Sequence, residues 1–584
     1  MKVLRSRLKN KKVLAFLLAA VMFFGLLPAM AMEPTGGTEP VSSSTEFTIT
    51  NPYESVDWEE FGQYRAALHI HTTISDGSAT VAETVLDHYN KGFDIIAITD
   101  HSNWAGGRPA HSGDWATGPD SLSESQRDAI HAGTFARTAY SDFEFPGDFG
   151  PGFYRSPDQG GMIAIPFSNE QSRTEHIITL WADFTDASGA TTESTLQTTD
   201  DLGGIAILAH PGRYTTGAGG NPASSDNPLR ISRYIELFDR FESVLGFEIF
   251  NRNDNETRAD RVLWDNVLME LMPYGRPIWG FANDDSHSMN QAGFNWNVLL
   301  LPELDADYAK EAMKDGVFYM VARVNRGIGH ADPAVNTTLP GGASMPNGGN
   351  ADTVFMLHQN APSITNIEVE DNTITIAAAD YTEVTWVADG VIIHTGNYLD
   401  VIAHWDYINN NYVRAQILGP HGVAMTQPFG VLPEGEDFLE RPETNNLVSI
   451  DEPQPVYVRH GAQPTPEGLR LPATVQVVSE RGWRAPARIA WDMDSIYPAY
   501  NPAEEVAIQT FTVTGTVDLE GSGVTNDNDV SLERTITVTV GLDARISMAE
   551  ANLNRAVGDL ITVEGYVTGI RGNGQIIIQD SNEA

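Results

Sequence analysis

The 584-residue sequence contains no cysteine, few basic side chains and a single long apolar run. Without cysteine the chain forms no disulfide and offers no thiolate as nucleophile or metal ligand. Lysine and arginine number 36 against 78 aspartate and glutamate residues, which gives a formal net charge of −42. Such an acidic chain is repelled by phosphate backbones and anionic surfaces, so we expect no stable nucleic-acid complex.

The apolar run lies at the amino terminus. Residues 1–31 carry six basic and no acidic side chains, with VLAFLLAAVMFFGLL followed by Ala29-Met30-Ala31. This layout is typical of a secretory signal peptide cleaved after Ala31, and the run is short for a permanent membrane anchor. The sequence therefore predicts a secreted, extracellular protein of the bacterial type that does not rely on disulfides.

Six of the fifteen histidines form an ordered series with four carboxylates, and nearly every member follows a short apolar run that is typical of a β-strand. The series is His69, His71, Asp76, Asp100, His101, Glu170, His176, His210, Asp285 and His287. Polar residues at the carboxyl ends of strands are how (β/α) barrels build active sites. Imidazole and carboxylate groups without thiolate suit Zn²⁺, Mn²⁺ or Fe²⁺. The series predicts a multinuclear metallohydrolase site.

The spacing within the series supports this interpretation. Side chains at positions i and i+2 of a strand share one face, so His69 and His71 can bind one ion together. Asp285 and His287 repeat the spacing near the other end of the series. A single histidine is as often structural, but two such pairs with further ligand-type residues on separate strand ends favour a metal site. The remaining histidines lack this placement and are interpreted as structural or surface residues.

The short sequence motifs that contain these residues resemble those of the PHP domain, the polymerase and histidinol phosphatase superfamily of metal-dependent phosphoesterases. They are HIHTTISDG (69–77), ITDHS (98–102), SNE (168–170), EHI (175–177), AHPGRY (209–214) and NDDSHS (283–288). All nine ligand positions usual in that family hold acceptable residues here. The resemblance extends over residues 49–335 and implies an α/β fold, a distorted (β/α)7 barrel, that holds two to three divalent ions (Mn, Zn or Fe).

The resemblance also implies which residues would bind each ion. His69, His71, Glu170 and Asp285 would hold the first. Glu170 would bridge to a second ion held by His176 and His210. Asp76, His101 and His287 would hold a third. Closely spaced cations lower the pKa of a bridging water and neutralise phosphoryl oxygens, so the expected reaction is hydrolysis of a phosphorylated small molecule or an oligomeric phosphoester.

Further residues are candidates for contacts with the substrate. Arg213, beyond the His210 strand, and Arg173, beside Glu170, could each bind phosphate through two hydrogen bonds or form a surface ion pair. Together with Glu170 and Asp285, Arg213 is a predicted catalytic residue. Asn251 and Glu248 end another strand. Both could line the pocket, and Glu248 could instead orient a histidine.

The rest of the chain is modular in composition. Residues 32–48 form a Pro/Gly/Ser/Thr-rich linker, and 103–160 is a long insertion in the barrel whose Trp104, Arg108, His111 and Trp115 could touch substrate or face solvent. All-β modules then follow the barrel: alternating patterns predict a small sandwich at 353–433, 445–542 resembles a bacterial Ig-like domain, and 546–584 resembles part of an OB-fold. We expect the chain to end within a domain, and the Ig-like modules to contact cell wall or polysaccharide.

Two other classes of function remain open. An amidohydrolase-type metal hydrolase also begins with an HxH motif, but that class typically bridges its metals with a modified lysine, where this chain has Glu170. A non-catalytic, metal-stabilised barrel that serves surface attachment is the other alternative. Because a decayed site is expected to lose ligands, the complete set argues against it.

Overall fold

The computed structural model describes residues 46–103, 110–116, 120–135, 159–173, 175–212, 225–252, 254, 257–323, 360–442, 445–504, 507–520 and 522–541, with strands 566–570 and 576–579. The predicted signal peptide, most of the linker, Trp104, Arg108 and Arg213 lie outside these residues. No helix within the described residues is long and apolar enough to cross a membrane.

The first half of the described chain alternates strands and helices. Its strands are β1 Phe47–Thr50, β2 Gly62–Ala67, β3 Ile95–Ile96, β4 Ile163–Ala164, β5 Asn169–Gln171, β6 Ile177–Leu180, β7 Ile205–Leu208, β8 Val244–Asn251, β9 Trp279–Asn283, β10 Asn295–Leu301 and β11 Phe318–Ala322. Its helices are α1 Val81–Asn90, α2 Glu124–His131, α3 Thr192–Asp201, α4 Pro228–Arg240, α5 Asp260–Leu271 and α6 Ala306–Asp315.

The second half consists almost entirely of strands. They are β12 Ser363–Glu370, β13 Thr373–Ala379, β14 Glu383–Ala388, β15 Val391–Thr395, β16 Tyr398–Asp400, β17 Tyr412–Gly419, β18 Gly422–Met425, β19 Phe429–Pro433, β20 Leu447–Ile450, β21 Val456–Val458, β22 Thr474–Ser479, β23 Arg484–Tyr497, β24 Gln509–Asp518, β25 Glu533–Val540, β26 Tyr566–Ile570 and β27 Ile576–Gln579. One short helix, α7 Val401–His404, interrupts them.

The strands that precede the predicted ligands belong to two sheets. One runs β10-β2-β3-β4, where β2, β3 and β4 are parallel and β10 is antiparallel to β2. The other runs β5-β6-β7-β8-β9, where β7, β8 and β9 are parallel. Isolated bridges join Ile70 to Ser286 and His101 to Glu170 across the two sheets. The architecture is thus mixed α/β, with two sheets that meet at the strand ends that carry the predicted site.

Side-chain amides connect the two sheets along the edge of β9. Gly280 N donates to Gln427 Oε1, and Gln427 Nε2 donates to Gly280 O, both at 2.9 Å. Asn297 makes the same pair of bonds with the backbone of Ala282, both at 3.0 Å. These buried amides satisfy edge groups that would otherwise lack partners, which is costly in the absence of water.

Apolar side chains fix the helices on the second sheet. Tyr234 and Phe238 of α4 meet Phe247 of β8 edge-on, with ring centroids 5.0 and 5.1 Å apart. Gly246 allows close strand approach, because a Cβ there would lie 1.8 Å from the Trp279 carbonyl oxygen. This packing fixes α4 on β8 and brings β8 close to β9.

The first sheet continues into the segment predicted as a separate sandwich. β11 pairs with β18, and β1 pairs with β19, both antiparallel. A buried ion pair between Arg414 of β17 and Asp265 of α5, with N···O distances of 2.9 and 2.6 Å, adds a second link. The strands β14, β15, β17, β18 and β19 therefore share one continuous sheet with the α/β region, whereas β12, β13 and β16 form a separate three-stranded sheet.

Residues 445–541 are all-β, with a six-stranded sheet in the order β20-β22-β23-β24-β25-β21. Asp239 of α4 ties this region to the α/β region by accepting from Arg441 Nη2 (2.6 Å) and Trp483 Nε1 (2.9 Å). Further along the chain, β26 and β27 form an antiparallel pair.

Candidate metal centre

The nine predicted ligands come together at the strand ends where the two sheets meet. His69 and His71 follow β2, Asp76 lies in the turn at 72–77, His101 follows β3, Glu170 lies in β5, His210 follows β7, and Asp285 and His287 follow β9. His176 directly precedes β6.

His176 reaches the site because β6 runs against its neighbours. β6 is antiparallel to both β5 and β7, and Ile177 pairs with Leu208. The amino end of β6 therefore lies beside the carboxyl end of β7, and Ala209 N donates to His176 O at 3.1 Å. His176, which precedes β6, therefore lies at the same edge of the sheet as His210, which follows β7.

Glu170 lies at the centre of the cluster. Its Oε1 atom is 2.8 Å from His176 Nδ1, 3.2 Å from His210 Nε2 and 3.3 Å from His69 Nε2. Its Oε2 atom is 2.7 Å from His101 Nδ1 and 3.4 Å from His71 Nε2. One fully buried carboxylate thus contacts five histidines, the arrangement expected of a residue shared between ions.

The distances between ligand atoms suit divalent metals. Two atoms bound to one ion at about 2.1 Å lie about 3.0 to 3.4 Å apart for right-angle to tetrahedral geometry. His71 Nε2 lies 3.1 Å from Asp285 Oδ1, and His287 Nε2 lies 3.3 Å from Asp76 Oδ2. Glu170 Oε2 and His101 Nδ1, both buried, form no hydrogen bond with the described residues. A cation would satisfy both atoms.

Among the described residues, four overlapping groups could each hold an ion, because the ligand atoms of each group lie within 4.8 Å of one another. They are His71-Asp76-His101-His287, His69-His71-Asp285, His69-Glu170-His210 and His101-Glu170-His176. The first contains the predicted third-ion set, and the second contains three of the four predicted first-ion ligands. His176 and His210, predicted to share an ion, fall in different groups, each with Glu170, and their rings are 5.2 Å apart.

The electrostatics of the cluster favour cations. Burial alone raises the pKa of Glu170, but the nearby imidazoles of His69, His176 and His101 hold that pKa well below its usual range. Burial lowers the pKa of His101, yet Asp76 and Glu170 overcome this effect and raise it to about 10. The carboxylates therefore stay charged, and positive charge is drawn into the site.

Exposure rises across the cluster from one side to the other. The side chains of His69, His71, Glu170, His210 and Asp285 are at most 2% exposed. Those of Asp76, His287, His176 and His101 are 30%, 20%, 20% and 13% exposed, respectively. These four residues define the side from which solvent and a ligand can enter.

Glu248 supports the buried side. It accepts from His69 Nδ1 (2.8 Å), His210 N (3.0 Å), Asn251 Nδ2 (3.0 Å) and Asn283 Nδ2 (2.9 Å). A hydrogen bond at Nδ1 fixes the imidazole so that Nε2 is the ligand atom. The structure thus places Glu248 and the buried Asn251 behind His69, on the far side from the solvent-exposed residues.

Three residues at the site have a strained backbone. His210 and Asp285 have φ values of 31° and 47°, in the left-handed region that non-glycine residues rarely adopt. Arg252, which follows β8, has φ of 49°. Such conformations cost about 1 to 3 kcal/mol each and persist only where the surroundings enforce them.

Two residues that the sequence did not single out as site residues support the ligands, Arg252 by direct contact and Lys91 through the turn that follows His287. Arg252 Nε is 2.9 Å from Asp285 Oδ2, Arg252 Nη2 is 3.1 Å from His287 Nδ1, and its side chain is 35% exposed. Lys91, at the end of α1, donates to the carbonyl oxygens of Met289 and Ala292 and so fixes the turn after His287. The position of Arg252 directly after a strand could have indicated from the sequence that it lies at the site. No sequence feature near Lys91 indicated that it fixes the turn after His287.

The predicted substrate contacts differ in their placement. Arg173 Nε lies 3.9 Å from Asp186 Oδ1, and Arg173 N donates to Asp186 Oδ2 at 3.0 Å. Arg213 lies outside the described residues, so its predicted contact with phosphate stays a prediction.

The solved structures to which the chain is similar include two proteins at 12% identity. One is a two-domain protein containing a predicted PHP-like metal-dependent phosphoesterase from Bacteroides vulgatus, with 64% of this chain and 88% of that chain covered at a TM-score of 0.29. The other is the lesion-specific endonuclease EndoQ from Pyrococcus furiosus, with 51% and 72% covered at a TM-score of 0.24. No protein-family model and no curated protein matches the chain. Because both TM-scores are below 0.5, neither likeness defines the fold of this chain.

Proposed function

We propose that this protein is a secreted, metal-dependent phosphoesterase of the PHP type, built on a distorted (β/α)7 barrel. One observation carries the proposal: Glu170, fully buried, contacts five histidines at 2.7 to 3.4 Å. Such a ring of imidazoles around one carboxylate has little value for stability alone, since each buried polar group loses its water. It has a clear value as a holder of closely spaced cations.

In this proposal the inner residues His69, His71 and Asp285, with Glu170, would hold a first ion, and Glu170, His176 and His210 would hold a second. Asp76, His101 and His287 would hold a third at the exposed side. When bound, the ions supply a water of lowered pKa and neutralise the oxygens of the phosphoryl group. The absence of thiolate ligands favours Mn²⁺, Zn²⁺ or Fe²⁺.

The residues of the chain then orient the substrate and control access. Arg252 lies at the exposed side, beside Asp285 and His287, where a guanidinium can donate to phosphoryl oxygens. Glu248 keeps His69 and the His210 backbone fixed. The phosphoester approaches past Asp76, His176 and His287, because these residues are the exposed ones.

An assay of the mature chain (32–584), stripped with chelator and reloaded with Mn²⁺, Zn²⁺ or Fe²⁺, tests the proposal. We expect hydrolysis of p-nitrophenyl phosphate or bis-p-nitrophenyl phosphate only after reloading, and none with Glu170→Gln. Glu236→Gln is the matched control, because Glu236 is an exposed glutamate paired with Arg240 on α4.

A full complement of metal with no hydrolysis of any phosphoester would contradict the enzymatic part of the proposal. Hydrolysis of amides or carbonyl esters alone would instead favour an amidohydrolase-type reaction. Unchanged activity of the stripped protein would reject metal dependence altogether.

A further inference from the structure

Part of the long insertion between β3 and β4 is packed against the metal centre. His111 N donates to Ser168 O at 3.1 Å, and Ser168 N donates to His111 O at 3.2 Å, two residues before Glu170. The His111 residue is 5% exposed, and Trp115 is buried and stacked on His131 with ring centroids 4.9 Å apart. These side chains are therefore fixed parts of the structure and neither solvent-facing nor at the open side of the site.

The buried side chain of His111 reaches the carboxylate next to a predicted ligand. His111 Nε2 donates to Asp100 Oδ2 at 2.9 Å, and Asp100 directly precedes His101. Asp100 also accepts from Thr72 N (2.7 Å), Thr72 Oγ1 (2.7 Å) and Ser75 Oγ (2.5 Å). Asp100 thus clamps the turn at 72–77 on one side and is held by the insertion on the other.

The clamp continues to Asp76 through Ser75. Ser75 Oγ lies 3.4 Å from Asp76 Oδ1 and 3.4 Å from His71 Nδ1. Gly77 packs closely on the start of the turn, because a Cβ there would lie 2.6 Å from the backbone carbonyl of His71. A connected path of contacts therefore runs from His111 through Asp100 and Ser75 to Asp76.

We propose that His111 is a positioning residue that sets the affinity of the outermost metal position, formed by Asp76, His101 and His287. This inference rests on the proposed metal site. Of the inner ligands, His69 and the backbone of His210 have a separate support in Glu248, and His71 meets the path only through the 3.4 Å contact with Ser75 Oγ. Loss of the His111 contact therefore acts mainly on the turn that carries Asp76, and the insertion becomes a determinant of how many ions the site retains.

Metal titrations of the full mature protein test this inference. His111→Ala, His111→Gln and wild type are stripped with chelator and titrated with Mn²⁺, with free Mn²⁺ followed by electron paramagnetic resonance and heat by calorimetry. In His111→Ala we expect the weakest binding step to lose about 10- to 100-fold in affinity, the usual effect of losing a group that orients a ligand, while the tighter steps stay unchanged. His111→Gln, which keeps an N–H donor, should restore most of that affinity.

His131→Ala is the control, because His131 lies in the same insertion, stacks on Trp115 and donates to Met162 O. It should leave every binding step unchanged, and thermal unfolding of the metal-free variants shows any general loss of stability. The inference is overturned if His111→Ala gives the wild-type isotherm, or if it weakens all steps together with a lower melting temperature that His111→Gln shares. Wild-type protein that binds no metal would overturn the proposed function instead.

Discussion

The side-chain amide of Gln427 forms two hydrogen bonds with the backbone of Gly280: it accepts from Gly280 N and donates to Gly280 O. These are the two bonds that a neighbouring strand would form. Gln427→Ala leaves a buried N–H and a buried C=O without partners, so we expect it to lower the free energy of unfolding by about 1 to 3 kcal/mol. Gln427→Glu should be at least as harmful, because a carboxylate cannot donate to Gly280 O. Chemical denaturation measures the loss.

Gln197→Ala is the control for this prediction, since Gln197 is an exposed glutamine that donates to Asp201 on the surface of α3. Equal stability of Gln427→Ala and Gln197→Ala would show that the amide contributes nothing to holding the two sheets together.

Glu248→Gln tests the support behind the buried ligands. The carboxylate accepts four hydrogen bonds, and the amide that replaces it must place an NH₂ group against at least one donor. We expect a loss of about 10- to 100-fold in metal affinity or in kcat, typical for groups that orient ligands. Metal retained after dialysis, measured by elemental analysis, gives the readout. Glu175→Gln, beside His176, is the matched control, and equal metal retention in the two variants would contradict the role.

Glu170 and His287 differ in how many partners they hold, which predicts different phenotypes. Glu170→Gln removes a negative charge shared by five histidines and should lower both metal content and kcat, with no recovery in excess Mn²⁺. His287→Ala should lose mainly one ion and recover part of its activity as Mn²⁺ is raised. Metal counts and kcat at several Mn²⁺ concentrations separate these cases. Full metal occupancy and wild-type turnover in Glu170→Gln would remove the central carboxylate from the mechanism.

Arg252→Ala should impair catalysis without emptying the site. If the guanidinium binds phosphoryl oxygens, its loss costs about 2 to 4 kcal/mol of transition-state stabilisation, visible as a fall in kcat/KM. Arg252→Lys should keep only part of the wild-type kcat/KM, because lysine cannot form the paired hydrogen bonds of a guanidinium. Arg240→Ala, an exposed arginine on α4, is the control. A changed metal content with unchanged KM for substrate would indicate that Arg252 serves the ligands Asp285 and His287 alone.

The sequence predicted which imidazole and carboxylate side chains come together, because strand ends and i,i+2 spacing are local features. The structure brings His69, His71 and Asp285 within about 3 Å of one another in the way that spacing requires. The reversed direction of β6 was not predictable, since a short apolar run carries no information on which way it pairs. Only the sheet topology shows that His176 lies at the site, because it depends on the antiparallel pairing of β6 with β7.

Long-range support was only partly within reach of the sequence, which allowed Glu248 to orient a histidine but did not indicate which one. Glu248 and His69 are 179 residues apart in the chain, and Gln427 and Gly280 are 147 apart. No local pattern links such pairs. The continuity of the first sheet into residues 360–433 has the same origin, because pairing of β11 with β18 depends on contacts across a segment without periodic signal.

The gradient of exposure across the nine residues has a kinetic consequence. An ion held by His69, Glu170 and Asp285 would be enclosed by side chains that are at most 2% exposed, so its exchange with solution requires local opening of the protein. An ion at Asp76 and His287 would exchange with the medium directly. The identity of the inner metal would then be determined when the chain folds. The identity of the outer metal would be determined by the medium in which the protein works.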